Sequence, residues 1–145
     1  MRSANPKDAS AIGLLLGELG YPTDGPEVEV RLERLDPARG SGALAAAKDG
    51  TVLGVLAYQH IDLLERPGRT CRITALVTQR GHRRQGIATR LLEALGSLAW
   101  EAGCDRFEVA TRPERDDALA FYLRSGFTER PRRLVRPIAR SKSES

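Results

Sequence analysis

Arg83-Arg84-Gln85-Gly86-Ile87-Ala88 lies between a strand-like run, Arg72 to Thr78, and a helix-like run, Ile87 to Ala102. A glycine-containing, arginine-rich turn that feeds a helix start brings backbone N–H groups, the positive end of the helix dipole and cationic side chains to one point. Such a turn binds anions, and a pyrophosphate suits it best. Beyond the helix, which Gly103 ends, Arg106 to Thr111 reads as a returning strand. Strand, helix and strand in that order make a crossover, so the two strands are expected to be parallel neighbours.

Upstream of this unit the pattern is an antiparallel meander. Ala43 to Lys48 and Thr51 to Leu64 flank Asp49-Gly50, a strong hairpin signal. Glu65-Arg66-Pro67-Gly68 turns the chain again into Arg69 to Thr78. Before the meander, Met1 to Ala4 reads as a short strand and Asn5-Pro6-Lys7-Asp8 as a helix start. Ile12, Leu15, Leu16 and Leu19 then share one helical face that Gly20 closes, and Pro26 to Leu35 forms a second helix with Val28, Leu32 and Leu35 on one side. In the longest helix Ile87, Leu91, Leu92, Leu95, Leu98 and Ala99 make a wide apolar stripe. Downstream, a short helix runs from Arg115 or Asp116 to Ser125 and stops at Gly126. Phe127 to Glu129 and Leu134 to Ile138 are expected as closing strands, with Pro131 and Pro137 restricting them to edge or bulge positions. Residues 1–138 are expected to form one domain, and 139–145 a polar, disordered tail.

At 145 residues and 15.9 kDa the chain is long enough to bury a core without a metal or disulfide. Cys71 and Cys104 lack C-x-x-C spacing and lie in or beside apolar runs, and the two histidines add no ligand pattern. No metal site is expected. The N-terminus has no apolar signal core, and no stretch is apolar enough to span a membrane, so the protein reads as cytoplasmic. The net charge of +4 comes from the C-terminal end, where Arg130, Arg132, Arg133, Arg136, Arg140 and Lys142 face only Glu129 and Glu144. Such a run is a solvated face or a patch that attracts an anionic partner.

The turn resembles the Q/R-x-x-G-x-G/A signature of the GNAT N-acetyltransferase superfamily, with Arg83, Gly86 and Ala88 at its three defining positions. Ala118-Leu119-Ala120-Phe121-Tyr122-Leu123-Arg124-Ser125-Gly126-Phe127 is similar to the A-x-x-F/L-Y-x-x-x-G-F segment near the end of those enzymes. The order of elements matches the same family over nearly the whole chain. The resemblance implies an α/β fold with a mixed, mostly antiparallel sheet, two parallel strands splayed apart, and about four flanking helices. It implies acetyl-CoA as acyl donor, no metal, and direct transfer to a primary amine of a small molecule, peptide or protein in a ternary complex.

Site residues follow from the same resemblance. Val77 and Thr78 close the strand that faces the coenzyme, and the turn and helix start supply Arg83, Arg84, Gln85, Gly86, Ile87, Ala88, Thr89 and Arg90. A free backbone N–H on Ile73 to Thr78 polarises the thioester carbonyl in the manner of an oxyanion hole. Arg115 stands where the family often has Asn, and a charge-assisted coenzyme contact is expected there. Tyr122 is the general acid, because a tyrosine of ordinary pKa ~10 can protonate a departing thiolate.

The acceptor amine must be neutral to attack, yet an alkylamine of pKa ~10.4 is only about one part in a thousand neutral near pH 7. A base is therefore needed. Thr74 stands where many relatives carry Glu, which leaves Glu108 as the best carboxylate, with His60, on the same strand face as Tyr58, as a second candidate. A homodimer is compatible with this reading, a membrane partner is not expected, and nucleic acid is not favoured. Two other classes stay open: a non-catalytic acyl-CoA-binding sensor on the same scaffold, and a basic nucleic-acid-binding module, for which no recognised motif is present.

Overall fold

The first strand, β1 (Arg2–Ser3), is pinned by a bidentate pair: Arg2 Nη1 and Nη2 donate to the two carboxylate oxygens of Asp8 at 2.7 and 2.8 Å. Asp8 also accepts from the Asn5 backbone N–H at 2.9 Å while the Asn5 side chain accepts from the backbone of the same 3-10 turn, a capping box that starts α1 (Ala9–Leu19). Gly20, left-handed at φ 101°, ends it. Asp24 caps α2 (Gly25–Arg34) by accepting from the Glu27 N–H at 2.8 Å. The computed structural model that gives this geometry describes residues 1–83, 85–111, 116–130 and 134–139.

Asp49 and Gly50 both take positive φ, 52° and 80°, the backbone of a tight hairpin turn between β2 (Ser41–Lys48) and β3 (Thr51–Asp62). A second reversal leads to β4 (Arg69–Thr78), from which the chain crosses through α3 (Ile87–Glu101) to β5 (Cys104–Val109). Among the described residues these strands form one sheet in the order β1-β2-β3-β4-β5, antiparallel except for the parallel β4/β5 pair. The expected crossover is therefore present, with β5 starting at Cys104 and ending at Val109 rather than running from Arg106 to Thr111.

Neighbouring residues of a strand point to opposite faces, and two of them, Gly54 and Val55, sort the helices. Val55 belongs to a core with Ala9, Ile12 and Leu15 of α1, Val28 of α2, and Ala45, Val52 and Val77 of the sheet. Gly54 faces Ile87 and Leu91 of α3. Helices α1 and α2 cover one face and α3 the other. Leu91 and Leu95 are fully buried there with Leu56, as the apolar stripe required.

By packing, residues 1–109 form one compact unit and residues 110–145 another. The second contains α4 (Asp116–Arg124), closed where the Phe127 N–H donates to Tyr122 O at 3.0 Å and Gly126 turns left-handed at φ 94°. The closing strands expected at Phe127 to Glu129 and Leu134 to Ile138 are not formed among the described residues. Leu134, Val135 and Ile138 are 92%, 75% and 97% exposed, so no burial offsets the cost of ordering them, and proline at 137 withholds a ladder donor. Most of the tail expected at 139–145 lies outside the described residues.

Candidate active site

At Thr74 two irregularities of the sheet coincide. Against β3 the register runs Ala57↔Ala75 and then Tyr58↔Ile73, so Thr74 is an extra residue, a β-bulge. Against β5 the pairing Arg69↔Cys104 to Ile73↔Val109 stops at the same place. From Thr74 to Thr78, β4 keeps β3 on one side and has no β5 partner on the other among the described residues. Val77 and Thr78 end this stretch.

The chain then passes through a 3-10 turn, Arg80–His82, to the start of α3. The Arg80 N–H donates to Glu18 Oε1 at 3.1 Å and the Gln79 N–H to Leu53 O at 2.7 Å, which tie the turn to α1 and to the sheet. Gly86 is the N-cap of α3 in the left-handed conformation, φ 75° and ψ 11°, and no side chain caps the helix. A helix start leaves its first N–H groups without intrahelical partners, and here they belong to Ile87, Ala88 and Thr89. The first helical bond is Arg90 N–H to Gly86 O, 3.0 Å. The Arg90 guanidinium folds back over the turn, 3.4 Å from the carbonyl oxygens of Gln85 and Gly86. Gln85 Oε1 lies 3.2 Å from His82 Nδ1. Arg83, Gln85, Gly86, Thr89 and Arg90 are exposed, whereas Ile87 is buried against the sheet. An uncapped helix start with cationic side chains around it fits the phosphates of a coenzyme. Arg84 and Arg115 lie outside the described residues.

The profile of the Acetyltransferase (GNAT) family matches residues 15–127. The chain belongs to the GNAT acetyltransferase family. It is an acetyl-CoA-dependent N-acetyltransferase. Among solved structures, this GNAT protein is similar to an aminoglycoside acetyltransferase from an uncultured soil metagenomic sample: 28% identity, TM-score 0.72, covering 95% of this chain and 97% of that one. It shares its fold with aminoglycoside N-acetyltransferase AAC(6')-Iy solved in complex with CoA: 18% identity, TM-score 0.80, covering 97% and 93%. The same holds for a ribosomal-protein-alanine N-acetyltransferase from Brucella melitensis biovar Abortus 2308: 21% identity, TM-score 0.77, covering 93% and 96%. No curated protein sequence matches this chain.

The two base candidates of this GNAT chain sit in different places. Glu108 pairs with Arg72 one rung before the β4/β5 pairing ends. Arg72 Nε and Nη2 both donate to Glu108 Oε1, at 3.0 and 2.7 Å, and both side chains are about half exposed. Arg72 and Ile73 point to opposite faces, and Ile73 pairs with Tyr58 on the α3 face, so this ion pair lies on the face that carries α1 and α2.

His60 pairs with Cys71, six β3 positions from the Gly54↔Thr78 rung, or about 20 Å at the rise of a strand. It lies against the C-terminal end of α3, in a cavity of about 420 Å³ that Arg39, Tyr58, Arg69, Leu98 and Glu101 help to line. Its ring stacks at 5.1 Å on Tyr58, and Nε2 is buried without a hydrogen-bond partner. Burial first, and the Arg69 charge second, hold its pKa below the ordinary histidine value. The structure thus brings Glu108 near the open stretch of β4 and leaves His60 at the far end of the sheet.

Tyr122 belongs to the second unit, where it is 6% exposed. Its ring meets Phe121 and Phe127 edge-on at 5.3 and 5.2 Å. The thiols are poor nucleophiles. Burial pushes the Cys71 pKa up to about 12, and burial raises Cys104 as well. Among the described residues no three His, Cys, Asp or Glu side chains are grouped to hold a metal ion, and no helix is long and apolar enough to cross a membrane. The bulge at Thr74 was not foreseen, because nothing in Ile73-Thr74-Ala75 marks an extra residue. Gly54 was also missed, although a glycine inside the apolar run Val52 to Leu56 signals a close approach.

Proposed function

We propose that this enzyme transfers the acetyl group of acetyl-CoA directly to a primary amine of a small molecule, peptide or protein while both substrates are bound. The observation that carries the reading is the end of the β4/β5 pairing at Ile73↔Val109, five residues before β4 itself ends, with the uncapped start of α3 one short turn further along the chain. Backbone N–H groups from Arg84 to Ala88, with the side chains of Arg83 or Arg84 and of Arg90, hold the coenzyme phosphates. Arg115 adds a charged contact. A backbone N–H of the unpaired stretch Thr74 to Thr78 donates to the thioester oxygen, where negative charge develops during attack.

Glu108 takes a proton from the acceptor ammonium, directly or through a water, so that the neutral nitrogen attacks the carbonyl carbon. The carbon–sulfur bond then breaks, Tyr122 gives its proton to the departing thiolate, and the proton shed by the attacking nitrogen as it becomes an amide restores the tyrosine, directly or through water. Direct transfer is supported by the two buried thiols, neither of which is set up to accept an acetyl group. The 28% identical aminoglycoside acetyltransferase puts amino-sugar amines first among acceptors to try.

Purified protein with acetyl-CoA and a panel of aminoglycosides, polyamines, amino acids and peptides, followed by free-thiol release, tests the activity. Initial-velocity lines that intersect when both substrates are varied support the ternary complex. Parallel lines overturn direct transfer.

A further inference from the structure

We propose that Gly54 is a positioning residue for the coenzyme-binding turn: by presenting only a hydrogen to Ile87, it sets how closely the first turn of α3 seats on the sheet. The inference rests on the reading of that turn as the phosphate site. Gly54 pairs with Thr78, the last residue of β4, so it stands at the level where the chain leaves the sheet for the turn. A Cβ at position 54 would lie 2.9 Å from Ile87 Cγ2, 3.2 Å from Leu91 Cδ1 and 3.3 Å from Val77 O. The first of these is too close for any real Cβ, and the Ile87 methyl has nowhere to go. It branches directly from the Cβ of a helical residue, where χ1 is stiff, in a side chain that is 3% exposed. Leu91 behind it is fully buried. The relief left is movement of the helix start, and Ile87 is its first residue. Ala88 and Thr89 move with it, and so do the N–H groups that the phosphates need. Misplacement of binding groups by a fraction of an ångström weakens a site that the substitution never touches.

The test is a double-mutant cycle read as KM for acetyl-CoA against kcat. Gly54→Ala is expected to raise that KM about tenfold and to change kcat less than about threefold. In an Ile87→Ala background, where the added methyl has room, Gly54→Ala is expected to change KM less than about twofold. Gly42→Ala is the comparator. Its Cβ would come 2.7 Å from the Tyr58 hydroxyl on the same face of the sheet but four β3 positions from Gly54, toward the C-terminal end of α3 and away from its start, so it lowers thermal stability and leaves KM for acetyl-CoA alone.

An unchanged KM in Gly54→Ala overturns the proposal. So does an equal rise in the Ile87→Ala background, or an equal rise in Gly42→Ala. Gly86→Val in the same assay separates the two readings. If it too leaves KM unchanged, the turn is not the phosphate site. If it raises KM while Gly54→Ala does not, only the role of Gly54 fails. Should Gly54→Ala yield no folded protein, Gly54→Ala/Ile87→Ala is compared with Ile87→Ala alone: equal KM upholds the seat, and a further rise overturns it.

Discussion

Arg72 on β4 and Glu108 on β5 are register partners, and both donors of Arg72, Nε and Nη2, fall on the same carboxylate oxygen. The second oxygen of Glu108 is left without a partner among the described residues. Only one more rung, Ile73↔Val109, lies between this pair and the end of the β4/β5 pairing. One oxygen is thus anchored and the other is available to take a proton.

Glu108→Gln is expected to lower kcat/KM for the acceptor by roughly 10²-fold or more. Arg72→Ala is the control for the ion pair alone. A half-exposed pair contributes about 1 kcal/mol or less, so this variant is expected to stay within about fivefold of the parent at the pH optimum. Equal losses in the two variants would assign Glu108 to holding the strands and move the base elsewhere.

Gly86 has open space around its missing Cβ, so a side chain there acts through the backbone and not through a clash. At φ 75° an L residue is strained by roughly 1–2 kcal/mol, and a β-branched one by more. Gly86→Val is expected to weaken acetyl-CoA binding at least tenfold in calorimetry while the protein stays folded. Gly86→Asn, which tolerates the left-handed region, is expected to bind better than the valine variant. Arg83→Ala and Arg90→Ala remove charge-assisted contacts of roughly 1.5 kcal/mol or more each and flatten the salt dependence of binding. Normal binding by both arginine variants would make these side chains a solvated face.

Tyr122→Phe removes one hydroxyl and keeps the ring that packs edge-on to Phe121 and Phe127. Coenzyme affinity is therefore expected to hold, while turnover falls roughly 10²-fold or more through loss of proton delivery. Near-parental turnover would remove the general acid. Mass spectrometry supplies the companion test, since an acetylated Cys71 or Cys104 formed as fast as turnover would replace direct transfer with a two-step route.

Strong local signals were the ones that could be read from the sequence. Asp49-Gly50 specified its hairpin because two consecutive positive φ values need such residues. The α3 stripe specified its face because burial repeats with the helical period. Gly86 was legible as the start of α3 because a left-handed N-cap needs glycine. Thr74 was not legible: a bulge depends on the register of the partner strand, which β3 sets from the far side of a turn. The expected strand at Leu134 to Ile138 failed for a related reason, since β-formers show local preference but not whether a partner strand is there to bury them. His60 shared a face with Tyr58 as the alternation required, but alternation is silent about which end of the sheet holds the chemistry.

From that far-end position the charge of His60 is expected to affect stability more than turnover. Its Nε2 is buried without a partner, and the charged neighbours in its cavity are Arg39, Arg69 and Glu101. Burial and Arg69 lower its pKa in the folded protein, so in the window from the ordinary value near 6.5 downwards the unfolded chain binds a proton that the folded chain refuses. More protons on the unfolded state mean that stability is full above that window and falls as pH drops through it, by at most about 1.4 kcal/mol per pH unit for one group. His60→Gln is expected to flatten this part of the stability curve, measured by urea unfolding from pH 7.5 to 5, and to leave acetyl transfer at pH 7.5 within about threefold of the parent. A 10²-fold loss of turnover with an unchanged stability curve would instead make His60 the base and release Glu108 from that role.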